Sequence, residues 1–102
     1  MIHVIATIDV AEGRRDAVLR EFHRIVPAVR AEAGCIEYGP AVDAASGLPS
    51  QPPPRPNVIV VVEKWASLDA LKAHTQAPHM AEYRTRVKDL VRGVQLLVLE
   101  PA

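Results

Sequence analysis

Residues 58–62 read Val-Ile-Val-Val-Val, five β-branched side chains in succession. Branching at Cβ restricts χ1 and suits the pleated backbone, so this segment predicts a strand running to about Trp65. Ile59, Val61, Glu63 and Trp65 fall on one face and Val58, Val60, Val62 and Lys64 on the other. Both faces are largely apolar, and such a strand must be covered on both sides. A helix follows at once and can cover only one of them. The expected solution is a second copy of the chain packed sheet against sheet, because each exposed Val or Leu forgoes roughly 1.5–3 kcal/mol.

The remaining pattern supplies the partners of that strand. Ile2, Val4, Ala6 and Ile8 alternate with His3, Ile5, Thr7 and Asp9, which predicts a strand over residues 2–9. Val18, Phe22, Ile25, Val26 and Val29 recur at helical spacing, predicting a helix over 14–33 with Pro27 as a kink and Gly34 as its C′ stop. Residues 35–42 are a weaker strand, interrupted by Gly39 and Pro40. Five prolines within 43–57 predict a stiff connection rather than a peptide ligand for an SH3-type domain.

Ser67 is placed to cap a helix whose apolar stripe is Leu68, Leu71 and His74. Pro78 opens another, with Met80, Tyr83, Val87, Leu90 and Val91 inward and Gly93 as its end, before a strand over 94–99. The order β-α-β-β-α-α-β predicts an α+β domain, a ferredoxin-like split βαβ with a four-stranded antiparallel sheet, spanning residues 1–102 as one domain.

Several function classes are disfavoured. Twelve basic and twelve acidic residues give a formal net charge of zero, and aromatic residues make up 4% of the chain, so no basic stripe or stacking platform for nucleic acid is expected. No apolar run approaches the ~18–20 residues of a membrane span, and one cysteine, Cys35, permits no internal disulfide. These features lead to the expectation of a cytoplasmic protein. Glycine-rich nucleotide fingerprints are missing, so neither flavin nor nucleotide is expected.

The chemistry-bearing residues cluster instead around one strand and two helices. Glu63 and Trp65 share a strand face, and a buried carboxylate is costly unless paired or put to use. His74 lies on the stripe that must face them and is the candidate base. His79, Tyr83, Tyr38 and Met80 are candidates to surround a ligand. A metal held by His74, His79 and Glu63 is disfavoured, since a five-residue His spacing across Pro78 departs from the i, i+4 geometry of a helical site.

Read together, the segments HVIATI, IVPAVRAEAGC, YGPAVDAASG, VEKWASLDALKAHTQAPHM and LLVLEP resemble the antibiotic biosynthesis monooxygenase family. The likeness is strongest to its bacterial quinol monooxygenase branch. Glu63-x-Trp65, Leu71-x-x-His74 and Pro78-His79-Met80 are its most diagnostic parts. The resemblance implies a dimeric α+β barrel and oxygenation of quinols by O2 with no cofactor and no metal. It also implies His74 as base, Trp65 as slot wall or N–H donor and Glu63 orienting a donor. His79 and Tyr83 would then hold the second oxygen of a small aromatic quinol or quinone. Polyketide-oxidising and haem-degrading relatives carry asparagines where this chain has Val61 and Ala6, which counts against those activities. An isomerase acting on the phosphorylated quorum signal autoinducer-2 is the rival enzyme, needing a cationic site for which Arg84, Arg86 and Lys88 are the local cluster. A non-catalytic dimeric ligand-binding protein is the second alternative.

Overall fold

The structure, a computed structural model, describes all residues Met1–Ala102. Its elements are β1 (Ile2–Val10), α1 (Arg15–Arg30), β2 (Cys35–Ala41), β3 (Val58–Trp65), α2 (Leu68–Thr75), α3 (Pro78–Val87) and β4 (Val91–Leu99). The strands form one antiparallel sheet in the order β2-β3-β1-β4, the ferredoxin-like arrangement. Ile2, Val4, Ala6 and Ile8 pair with Trp65, Glu63, Val61 and Ile59 and are all buried. The buried stripe of α1, Val18, Phe22, Ile25, Val26 and Val29, packs with this face in one core.

The helical layer leaves much of β4 uncovered. Val94, Leu96 and Val98 pair with Ile8, Ala6 and Val4, yet each is exposed, as are Leu97 and Leu99 on the opposite face. Val62, also on the helix-free face, is 36% exposed. The apolar surplus anticipated from strand three therefore extends along the edge strand as well.

Three boundaries and the facing of Leu68 differ from the sequence expectation. Helix α1 ends at Arg30, and Ala31 N–H donates to the Pro27 carbonyl at 3.2 Å, so Pro27 sits in the last turn. Gly34 is consequently not the helix stop. It lies in the turn into β2 at φ +82°, where a Cβ would come 2.6 Å from Ala70 Cβ. Only glycine satisfies both the backbone angle and that close approach to α2. Helix α3 ends at Val87, and Val91 already pairs with Val10, leaving Gly93 inside β4 opposite Asp9. Leu68 is exposed because it lies about 120° around the helix from His74, at 100° per residue; the inward pair is Leu71 and His74.

Pro40 is accommodated because β2 is an edge strand, where proline is tolerated. The proline-rich connection is closed by Arg55, whose Nε and Nη2 donate to the two Asp43 oxygens at 2.7 and 2.9 Å. This pairing holds the Asp43 carboxyl down at about 2.

Candidate active site

The site starts from two strand residues placed side by side. Tyr38 on β2 pairs with Glu63 on β3, so both project beneath the helices. Each is almost wholly buried. The Tyr38 ring stacks on Phe22 of α1 at 5.4 Å between centroids, nearly parallel, and meets the edge of His74 at 5.3 Å. Burial raises the Tyr38 phenol far above its ordinary range, with Glu63 adding to the shift.

Trp65 is completely buried, and its indole N–H donates to Glu63 Oε1 at 2.9 Å. Burial lifts the Glu63 carboxyl above the usual range; that donated bond and the nearby His74 oppose the shift, and Glu32 adds to it. Trp65 therefore does not line the cavity described below. It backs the His74 ring at 4.7 Å, and its N–H is already engaged.

His74 reaches the site through the cap of α2. Ser67 Oγ accepts the Ala70 N–H at 3.1 Å, fixing the helix start and hence the inward phase of Leu71 and His74. His74 Nδ1 lies 2.9 Å from Glu32 Oε2, and His79 Nε2 lies 2.8 Å from the same oxygen. An ionised carboxylate only accepts, so both nitrogens donate their N–H to it. In the neutral tautomer that donates from Nδ1, Nε2 carries the free lone pair.

Glu32 is the residue that sequence reasoning missed. It sits two residues beyond α1, in a turn where its N–H donates to the Val29 carbonyl and its carbonyl accepts from Cys35 N–H. Gly34, tucked against Ala70, brings that turn onto α2 and the carboxylate to the two imidazoles. The only signal in the sequence was the AEAGC segment itself, which marks a helix end and says nothing of an active carboxylate.

A cavity of about 460 Å³ opens beside these groups. Its floor is Ala6, Ile8 and Val61; Phe22, Tyr38 and Met80 form walls; and Glu63, His74 and Tyr83 supply polar groups. The volume is within the ~300–1,000 Å³ of small-molecule sites. The Tyr83 hydroxyl is the one buried side-chain polar atom with no hydrogen-bond partner, and burial pushes its phenol up to about 12. It remains a neutral donor near neutral pH. His79 does not line this cavity; it holds the same Glu32 oxygen that His74 does.

Glu32, His74 and His79 also present three donor atoms within 4.8 Å of one another, a set able to hold a divalent ion. The carboxylate in that set is Glu32 rather than Glu63, and the tertiary fold supplies the proximity that the His spacing withheld. A metal there would take one ring nitrogen of each histidine, with the imidazole proton on the other nitrogen. Cys35 is partly exposed, and burial, with Glu32 and Glu63, raises its thiol, which disfavours a nucleophilic thiolate.

A ferredoxin-like sheet roofed by helices over an apolar, imidazole-bearing cavity defines a small-molecule enzyme scaffold. The antibiotic biosynthesis monooxygenase sequence profile matches residues 1–86. The chain belongs to that family. It is 43% identical over 103 residues to the probable quinol monooxygenase YgiN of Escherichia coli K12, spanning 99% of this chain and 98% of the relative, and equally to that of Shigella flexneri. Among solved structures, PA3566 of Pseudomonas aeruginosa superposes with a TM-score of 0.82 at 27% identity, covering 99% of this chain and 93% of the other. Rv0793 of Mycobacterium tuberculosis gives 0.80 at 28%, covering 99% and 94%. No helix of the chain is long and apolar enough to cross a membrane.

Proposed function

We propose that this chain oxidises small aromatic quinols with dioxygen, drawing the electrons from the substrate and using neither flavin nor metal. The observation that carries this reading is His74, held at Nδ1 by Glu32 2.9 Å away, at the wall of a mainly apolar cavity. A planar dihydroxyaromatic lies against Tyr38 and Phe22, and His74 Nε2 takes the proton of one hydroxyl. The imidazolium formed is stabilised by the Glu32 carboxylate 2.9 Å away. Tyr83 O–H, otherwise without a partner, donates to the second substrate oxygen.

The resulting phenolate is electron-rich and transfers one electron to O2, giving an organic radical beside superoxide. Two outcomes balance. A second electron and two protons passed to oxygen yield quinone and hydrogen peroxide. Radical recombination instead places one oxygen atom on the ring and releases the other as water. Trp65 acts behind His74, backing its ring and donating to Glu63 at the cavity, and His79 positions Glu32.

The likeness to a probable quinol monooxygenase supports the substrate class. The exposed Val62, Leu97 and Leu99 on the helix-free face support a homodimer formed through the sheet. The test of function is oxygen uptake by metal-stripped protein given reduced naphthoquinols. Uptake well above quinol autoxidation and insensitive to chelator is expected. Activity lost on chelation and restored by one metal would assign the Glu32–His74–His79 set to metal and overturn this reading.

A further inference from the structure

Tyr83 is followed by Arg84 on α3 and, one turn later, by Lys88 at its C-cap; both cations are exposed at the rim of the cavity that all three line. The neighbouring Arg86 is already engaged: its Nε donates to Glu21 Oε2 at 2.7 Å. Arg84 and Lys88 have no carboxylate partner; the one bond made by the Arg84 guanidinium runs from Nη2 to the Thr75 carbonyl at 3.0 Å. Proximity to the C-terminal end of α3 accounts for cations being tolerated here. It does not account for two like charges, four residues apart, at the rim of a cavity whose walls are mainly apolar, an arrangement that disfavours the helix on its own. Tyr83, a residue 6% exposed whose buried hydroxyl has no partner, adjoins them in sequence and shares the cavity.

We infer that the cavity takes an aromatic quinol bearing an acidic substituent, whose carboxylate is held by Arg84 and Lys88 while Tyr83 donates to a ring oxygen. This rests on the quinol reading above and narrows its substrate class. The ring needs the apolar walls, and the anion needs a cationic site at the cavity. A neutral quinol uses only the first, and a phosphosugar has no aromatic ring to bury against Phe22 and Tyr38.

Redox-inert ligands separate this inference from turnover. Calorimetric titration of the metal-free protein at low salt should show 1-hydroxy-2-naphthoate binding roughly five- to tenfold more tightly than 1-naphthol, the scale of one or two partly solvated ion pairs. In the Arg84→Gln, Lys88→Gln double variant, checked for fold by circular dichroism, the preference should fall to within about twofold. Arg86→Gln removes a charge from the same helix and should keep the preference. Equal binding of the two ligands by the wild type, a preference that survives in the double variant, or an equal loss in Arg86→Gln would overturn the acidic subsite and leave the quinol reading standing. Failure of both aromatics to bind would remove the aromatic cavity and this inference together. Ribose 5-phosphate binding more tightly than the naphthoate would also overturn it, in favour of phosphosugar chemistry.

Discussion

Replacing Glu32 with Gln keeps the shape of the site and removes its charge. Glu32 Oε2 accepts from His74 and His79 at 2.9 and 2.8 Å, and its side chain is 15% exposed, so solvent screens these bonds little. Bonds to a charged acceptor contribute ~1.5–3 kcal/mol and neutral ones ~0.5–1.5, so two bonds weakened by about 1 kcal/mol each cost roughly 2 kcal/mol of stability. The kinetic effect has a further source. An amide stabilises the imidazolium less, and its NH2 group can face either histidine only if that ring turns its bare nitrogen towards it, putting the proton on the other nitrogen. Raising the barrier by about 2–3 kcal/mol slows turnover by roughly 30- to 150-fold. The expected outcome is a loss in kcat with KM nearly unchanged, measured by oxygen uptake alongside urea unfolding. A Glu32→Gln protein destabilised as expected yet turning over at the wild-type rate would refute the role of Glu32 in setting the His74 base.

Other perturbations probe the supports of the site. Gly34→Ala places a Cβ 2.6 Å from Ala70 Cβ at φ +82° and should cost about 2–4 kcal/mol, seen as a lowered Tm, with activity falling as the Glu32 turn moves off α2; an unchanged Tm would contradict the close approach. Burial lifts the Glu63 carboxyl above its unfolded value, so its contribution to stability is present below that value and is lost as pH rises through the folded one. Glu63→Gln escapes that loss, so it should gain stability relative to wild type as pH is raised from acid to neutral, and denaturant midpoints that move in parallel would count against it. Val62→Asp on the helix-free face should yield monomer or aggregate by sedimentation, whereas an intact dimer would exclude that face as the interface.

Local pattern carried the sheet and the core helix. The two-residue period in β1 and the β-branched run in β3 survive into the paired, buried ladder because side-chain direction in a strand depends on nothing beyond the pleat. The C-terminal region was less legible. Leu90 and Val91 continue the helical spacing of α3, yet pairing of Val91 with Val10 wins over one more turn of a short helix. The site divides the same way. His74, Tyr38, Tyr83 and Met80 were readable as inward-facing residues on regular elements, and all four line the cavity. His79 and Trp65 were readable as residues near it, but their places behind His74 and Glu32 depend on the packing of α2, α3 and β3. Glu32 was invisible because it lies in a turn, where no period marks direction, and its partners are 42 and 47 residues away.

In the proposed function His74 is the base of a reaction that needs no metal. Oxygen uptake by metal-stripped wild type and His74→Ala, both shown to be folded and both supplied with the same naphthoquinol, tests it most directly. Because His74 lines the cavity and bonds to Glu32, its removal should lower turnover by about 10²–10⁴-fold while the quinone still binds. Full activity in His74→Ala would contradict the account and return proton removal to the substrate's own ionisation.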